Sequence, residues 1–158
     1  MTQKPTFDHI FMSFAIQLAQ RSHCIKKKVA AVLTKETRII SIGYNGPPPG
    51  TYNCDEVWPK TGCARNTKGS CSLALHAEQS AILYALTNHA NVKDGVLYTT
   101  LSPCLHCARI IFNVGIKKVV YKDSYAVYKN LDDEEGLNFL DEFGVMVEQY
   151  DPYKDIDP

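Results

Sequence analysis

Between His76 and Tyr121 the chain alternates helix, strand, helix and strand. "HAEQSAILYALTN" has a helical pattern from about His76 to Asn88, and "VLYTTL" at 96–101 is an apolar, β-rich run. A second helix follows Pro103 and ends at Gly115, and "KKVVY" at 117–121 is another strand. A strand, a helix and a strand in that order form a βαβ unit with parallel strands, which commits the chain to an α/β sheet.

The flanking segments add to that sheet. Phe7, Ile10, Phe11, Phe14 and Leu18 fall on one helical face behind Thr6 as N-cap, predicting a first helix that ends near Ser22. Val29–Leu33 and Arg38–Gly43 read as a hairpin around "TKET". Residues 47–72 are rich in Gly, Pro, Asn and Cys without periodicity, an unusually long loop for a compact domain. Leu137, Leu140 and Phe143 mark another helix, stopped by Gly144, before a short strand at 145–147. One domain over residues 1–150 and a short acidic tail at 151–158 are expected from a chain of 158 residues.

Composition excludes several classes. Apolar residues make up 45% and charged residues 22%, and no apolar run approaches the roughly 20 residues of a membrane helix. The first ten residues, "MTQKPTFDHI", carry no basic segment followed by a long apolar run, so the expected compartment is the reducing cytoplasm. Seventeen basic residues balance seventeen acidic ones, which favours a small substrate over nucleic acid, with Lys26-Lys27-Lys28 as a local exception. Six cysteines, at 24, 54, 63, 71, 104 and 107, are many for such a protein, and their usual use there is metal binding or catalysis.

"SPCLHC" is predicted to place Ser102 as N-cap and Pro103 at the first helical position, with Cys104 and Cys107 three residues apart on one face. The positive end of the helix dipole stabilises their thiolates, the forms that ligate zinc. His76 is the expected third ligand, and a His-Cys-Cys set leaves one tetrahedral position open, as in a catalytic zinc site. Glu78, two residues on, is then placed to move a proton from water to substrate as general base and acid. A lone Cys-x-x-Cys also serves structural zinc or redox chemistry, and a lone His-x-Glu arises by chance. The two in this order, with a strand between them, form the established zinc deaminase signature. His9, His89 and His106 are expected to be surface residues.

On these motifs the chain resembles the cytidine deaminase superfamily, and most closely the deoxycytidylate (dCMP) deaminases. The resemblance runs from about Phe7 to Tyr150 through "RSHCIKKKVAAVLT", "RIISIGYNGPPPG", "NCDEVWP", "HAEQSAIL" and "TTLSPCLHCARIIFNVGIKKVVYKDSY". The metal motifs are shared with deaminases of tRNA and of free bases, whereas "GYNGPPPG" followed by "NCDE" is the more selective mark. Ala30 stands where these enzymes commonly have Gly, and Ser80 where they commonly have the longer Asn.

The resemblance implies a three-layer α/β/α domain on a central five-stranded mixed sheet, assembled as a homohexamer, that deaminates dCMP to dUMP. It implies that Asn45 meets the deoxyribose 3′-hydroxyl and that Lys26 and Tyr125 meet the 5′-phosphate. It also implies a second, structural Zn²⁺ on cysteines at the positions of Cys24 and Cys54, with Cys63, Cys71 or His23 as further ligands. Activation by dCTP and inhibition by dTTP, with Mg²⁺ accompanying the triphosphate, follow from the same likeness. The "GYNG" turn, Gly43, Tyr44, Asn45 and Gly46, is where exposed backbone amides could receive such a nucleotide. The alternatives are another deaminase of the superfamily, acting on a free base or tRNA, and a non-catalytic zinc-stabilised binding module. Glu78 speaks against the module, because a structural metal site has no need of a general base.

Overall fold

The computed structural model describes residues 4–58, 60, 62–63 and 71–154. Its centre is a five-stranded sheet built from β1 (Ala30–Lys35), β2 (Arg38–Tyr44), β3 (Val96–Leu101), β4 (Lys118–Asp123) and β5 (Met146–Gln149), in the order β2-β1-β3-β4-β5. β3, β4 and β5 are parallel, whereas β1 is antiparallel to both β2 and β3, so the sheet is mixed as expected. The hairpin turns through Glu36 and Thr37, both at positive φ, the conformation a two-residue turn needs to follow the twist of its strands.

Strand alternation divides the core. Ala31, Leu33, Leu97, Leu101 and Val119 face α3 (Ala77–Thr87), α4 (Leu105–Asn113) and α6 (Glu135–Glu142). Ala30, Val32, Tyr98 and Val120 face α1 (Phe7–Ala19). Three layers result, because a sheet in which both sets of alternating side chains are apolar must be covered on both faces.

Thr6 caps α1 as expected, accepting the His9 N–H at 3.2 Å, but the helix ends at Ala19 and its buried face is rotated from the expected one. Phe11, Met12, Ala15, Leu18 and Ala19 are buried, while Phe7, Ile10 and Phe14 are exposed. The alanines at 15 and 19 let the helix lie close to the sheet, which brings their side of the cylinder inward.

Two short helices interrupt segments that carry no readable periodicity: α2 (Cys54–Val57) within the long loop and α5 (Tyr125–Lys129) after β4. The last strand begins at Met146, one residue later than the sequence pattern suggests. Residues 151–154 form a turn, and 155–158, the rest of the expected tail, lie outside the described residues. Among the described residues no helix is long and apolar enough to cross a membrane.

Candidate active site

The site forms where the carboxyl end of β3 meets the first turns of α3 and α4, the edge at which open α/β sheets bind ligands. His76 is the N-cap of α3, and its N–H donates to Gln79 Oε1 at 2.9 Å. The preceding residue is pinned by a two-way bridge, with Leu75 N–H donating to Gly46 O at 2.8 Å and Gly46 N–H to Leu75 O at 3.2 Å. Gly43 sets the height of α3: a Cβ there would lie 2.5 Å from Ala77 O and Ala81 N, so only glycine admits the helix this close.

Cys104, not Ser102, is the N-cap of α4, in extended conformation, which moves the helix start past the proline. The Ser102 hydroxyl is used elsewhere, accepting the Tyr125 N–H at 2.7 Å. Both sulfurs still sit at the positive end of the helix, Cys107 buried and Cys104 half-buried.

His76 Nδ1 stands 3.5 Å from Cys104 Sγ and 3.3 Å from Cys107 Sγ. These donors form the only group of three or more metal-ligating side chains among the described residues, all within 4.8 Å of one another. A tetrahedral zinc with bonds of about 2.3 Å to sulfur and about 2.0 Å to nitrogen separates those two atoms by about 3.5 Å, so the donor set fits the ion in type and spacing. The hydrogen bond from the Cys107 thiol makes Cys104 far more acidic than an ordinary thiol, its pKa lowered to about 3, helped by the His76 ring. For the same reason Cys107 is pushed up, and the Cys104 bond raises His76. Glu78 is 4% exposed, and burial raises its carboxyl to about 7.

These groups open onto a cleft of about 350 Å³. Lys26, Asn45 and Tyr125, the expected substrate residues, all line it, as do Cys24 and Cys71. Burial raises the Tyr125 phenol above its ordinary value. Asn45 is already engaged: Oδ1 accepts the Val29 N–H and Nδ2 donates to Lys27 O, each at 2.8 Å, leaving one amide hydrogen for a ligand.

Sequence reasoning missed Lys27, Tyr128 and Lys129 on the same wall. Helical spacing from Tyr125 reaches Tyr128 and Lys129 at three and four residues, but a five-residue helix offers no period to read. Lys129 lies 5.1 Å from the Tyr128 ring centre, and Lys27 lies 5.5 Å from it and 3.5 Å from Asp123.

The "GYNG" segment differs from expectation. Tyr44 and Gly43 belong to β2, paired with Ala30 and Ala31, and the Asn45 and Gly46 amides donate to Val29 O and Leu75 O. The latter two amides are therefore not exposed for a phosphate, because strand exit and helix entry consume them. Ala30 is fully buried, its N–H donating to Thr100 Oγ1 at 3.1 Å, and Ser80 packs over Gly43 without lining the cleft.

Of the remaining cysteines, Cys54 and Cys63 are buried and neither lines the cleft. His23 pairs with Asp55 of α2 at 3.0 Å, and this bond lowers the Asp55 carboxyl. His9, His89 and His106 are exposed, as expected.

Residues 5–123 match the family model for the cytidine and deoxycytidylate deaminase zinc-binding region. A deoxycytidylate deaminase of Schizosaccharomyces pombe is 39% identical over 94% of this chain and 45% of its own length. One from Saccharomyces cerevisiae is 36% identical over 93% and 46%, so the chain spans about half the length of these two relatives. The deoxycytidylate deaminase of Enterobacteria phage T2 is 35% identical, over 72% of this chain and 78% of its own. Among solved structures, the dCMP deaminase of cyanophage S-TIM5 in complex with dCMP and dUMP superposes with a TM-score of 0.76 at 31% identity, covering 94% of this chain and 99% of that one. The family match covers about three quarters of the chain and includes His76, Glu78, Cys104 and Cys107, and on that ground the chain belongs to the zinc-binding cytidine and deoxycytidylate deaminase family.

Proposed function

We propose that the protein is a hydrolytic dCMP deaminase, converting dCMP and water to dUMP and ammonia. The observation that carries this reading is the buried Glu78 carboxyl beside the His76-Cys104-Cys107 donors, at the floor of a cleft rimmed by lysines. The solved relative bound to dCMP and dUMP supports the same substrate and product.

Zinc held by His76, Cys104 and Cys107 would supply Lewis acidity that makes water a nucleophile near neutral pH. The chain's own residues do the rest. Burial places the Glu78 carboxyl near neutrality, where it can both take and give a proton. The water oxygen forms a bond to C4 of the pyrimidine, and the bond from C4 to the exocyclic nitrogen breaks. Glu78 takes up water's protons and delivers one to ring N3 and the other to the exocyclic nitrogen, which leaves as ammonia. Asn45 keeps one amide hydrogen for the sugar hydroxyl, and Lys26, Tyr125 and the neighbouring Lys129 offer donors to the 5′-phosphate.

The proposal extends to one domain up to residue 150, a homohexamer in the cytoplasm, supply of dUMP for dTMP synthesis, and control by dCTP and dTTP with Mg²⁺. With two of the "GYNG" amides engaged, such a nucleotide would have to be recognised mainly by side chains. A second zinc would draw its ligands from Cys24, Cys54, Cys63 and Cys71, of which Cys54 and Cys63 are buried. Sigmoidal dCMP curves made hyperbolic by dCTP support the control; hyperbolic curves under all conditions remove it.

Ammonia release from dCMP, CMP, deoxycytidine, dCTP and cytosine tests the substrate. Fastest turnover of dCMP is expected, with Glu78→Gln retaining zinc and losing roughly 10²- to 10⁴-fold in rate. Preference for cytosine or deoxycytidine would overturn it.

A further inference from the structure

α5 is five residues long, too short to hold its shape by helical hydrogen bonding alone, yet it supplies Tyr125, Tyr128 and Lys129 to the cleft. All three of its first-turn amides are satisfied by side chains. Val127 N–H donates to Ser124 Oγ at 3.0 Å, the local cap. Tyr125 N–H donates to Ser102 Oγ at 2.7 Å, and Ala126 N–H donates to Glu134 Oε1 at 3.3 Å. Two of the three acceptors thus lie outside the helix, one of them in the loop that leads into Cys104.

Glu134 joins these acceptors together. Its carboxylate receives the Ser102 hydroxyl at 3.1 Å and the Ser124 hydroxyl as well as the Ala126 amide. Glu134 is the N-cap residue of α6, but its side chain makes no cap bond to that helix and serves α5 instead. Its own helix is seated on the metal loop: a Cβ on the buried Gly136 would overlap Pro103 O and lie 2.9 Å from the carbonyl carbon of Cys104. Ser102 itself is 1% exposed, so water cannot readily replace a lost partner.

We infer that Glu134 is a positioning residue, one that fixes the α5 wall of the substrate cleft to the loop carrying Cys104 and so sets the distance between the substrate's phosphate end and the metal donors. The residue touches neither; it acts through Ser102, Ser124 and Ala126. A carboxylate suits the task because it offers lone pairs to three donors converging from two segments, and an amide or a hydroxyl offers fewer. The inference rests on the deaminase reading for its kinetic consequence, but not for its structural one.

The test measures amide hydrogen exchange of the segment around 124–130, zinc content, and kcat and KM for dCMP in Glu134→Ala and Glu134→Gln. In Glu134→Ala, exchange at Tyr125 and Ala126 should quicken and KM should rise roughly tenfold or more, with zinc retained and kcat much less affected, as for residues that orient a site from behind. Glu134→Gln, which keeps one acceptor, should show both changes to a smaller degree and remains available if the alanine variant does not fold. Unchanged exchange in both variants overturns the coupling, and so does quickened exchange with unchanged KM. Zinc loss with a fall in kcat at constant KM would place Glu134 on the metal side instead. If the parent turned over none of the five cytosine compounds, the deaminase reading would fail while the exchange data still judged the coupling.

Discussion

Asn45 accepts the Val29 N–H at 2.8 Å and, through its other amide atom, donates to Lys27 O at the same distance. One side chain at the exit of β2 therefore fixes the lysine-bearing loop that enters β1. A residue chosen from its resemblance to a sugar ligand is also a structural clamp. Asn45→Ala should leave two backbone groups of that loop unpaired and destabilise the protein by about 1–3 kcal/mol, read as a lower urea midpoint at unchanged m-value. Its KM for dCMP should rise as the loop loosens. A variant with parental stability and a higher KM would mean that the clamp bonds contribute little and the ligand contact dominates.

Cys107 Sγ and His76 Nδ1 lie 3.3 Å apart, near the separation a tetrahedral zinc requires. Cys104→Ser and Cys107→Ser should each bind one zinc fewer per chain than the parent, measured by metal analysis after gel filtration. Chelation of the parent should lower its melting temperature, since an ion bound only by the folded state stabilises it by mass action. Retention of the full zinc complement by both variants would assign the metal elsewhere.

The ligand set was legible in the sequence because Cys104 and Cys107 lie within one helical turn and His76 opens the preceding helix, so local spacing alone brings each near a helix start. The sheet was legible because its strands are apolar on both faces, and the parallel order followed from their alternation with helices. The position of Ser102 was not. Its choice between capping α4 and serving Tyr125 and Glu134 is decided by contacts 23 and 32 residues away, which no local propensity encodes. The α1 face was misjudged for a related reason: large side chains dominate a periodicity, but small ones decide how closely a helix approaches. The exposed-amide reading of "GYNG" failed at Gly46 because its partner, Leu75, is distant in sequence.

Glu148 on β5 lies 2.7 Å from Lys118 and 2.5 Å from Lys154, and these bonds hold its carboxyl below the ordinary 4.5. A carboxyl more acidic folded than unfolded contributes stability that is present above its unfolded value and lost as pH falls through the folded one. The contribution should therefore be intact at neutral pH and fade below about pH 4.5, with a size of about 1 kcal/mol or less because the pair is partly solvated. Glu148→Gln should lower the melting temperature at pH 7, and the gap to the parent should narrow as pH falls below about 4.5. A constant offset over that range would show that packing, not charge, is what the substitution removes.

Lys26 lines the cleft, is exposed, and has no carboxylate partner among the described residues, whereas Lys27 on the same wall is 3.5 Å from Asp123. An ammonium already paired has part of its charge neutralised and must leave its partner to grip a ligand; an unpaired one is ready for a dianionic phosphate. Lys129, stacked near the Tyr128 ring, is the other cation placed to help. Lys26→Ala should raise KM for dCMP by roughly tenfold, the order expected when a charge-assisted hydrogen bond of about 1.5 kcal/mol is lost. It should leave residual activity on deoxycytidine nearly unchanged, since that substrate has no phosphate to hold. Lys27→Ala should have the smaller effect on dCMP, because part of its charge is already neutralised by Asp123, which Lys122 also pairs at 2.9 Å. The comparison is made from full rate curves for both substrates at fixed ionic strength. Equal losses on dCMP and deoxycytidine in Lys26→Ala would mean that the lysine shapes the loop and does not hold the phosphate.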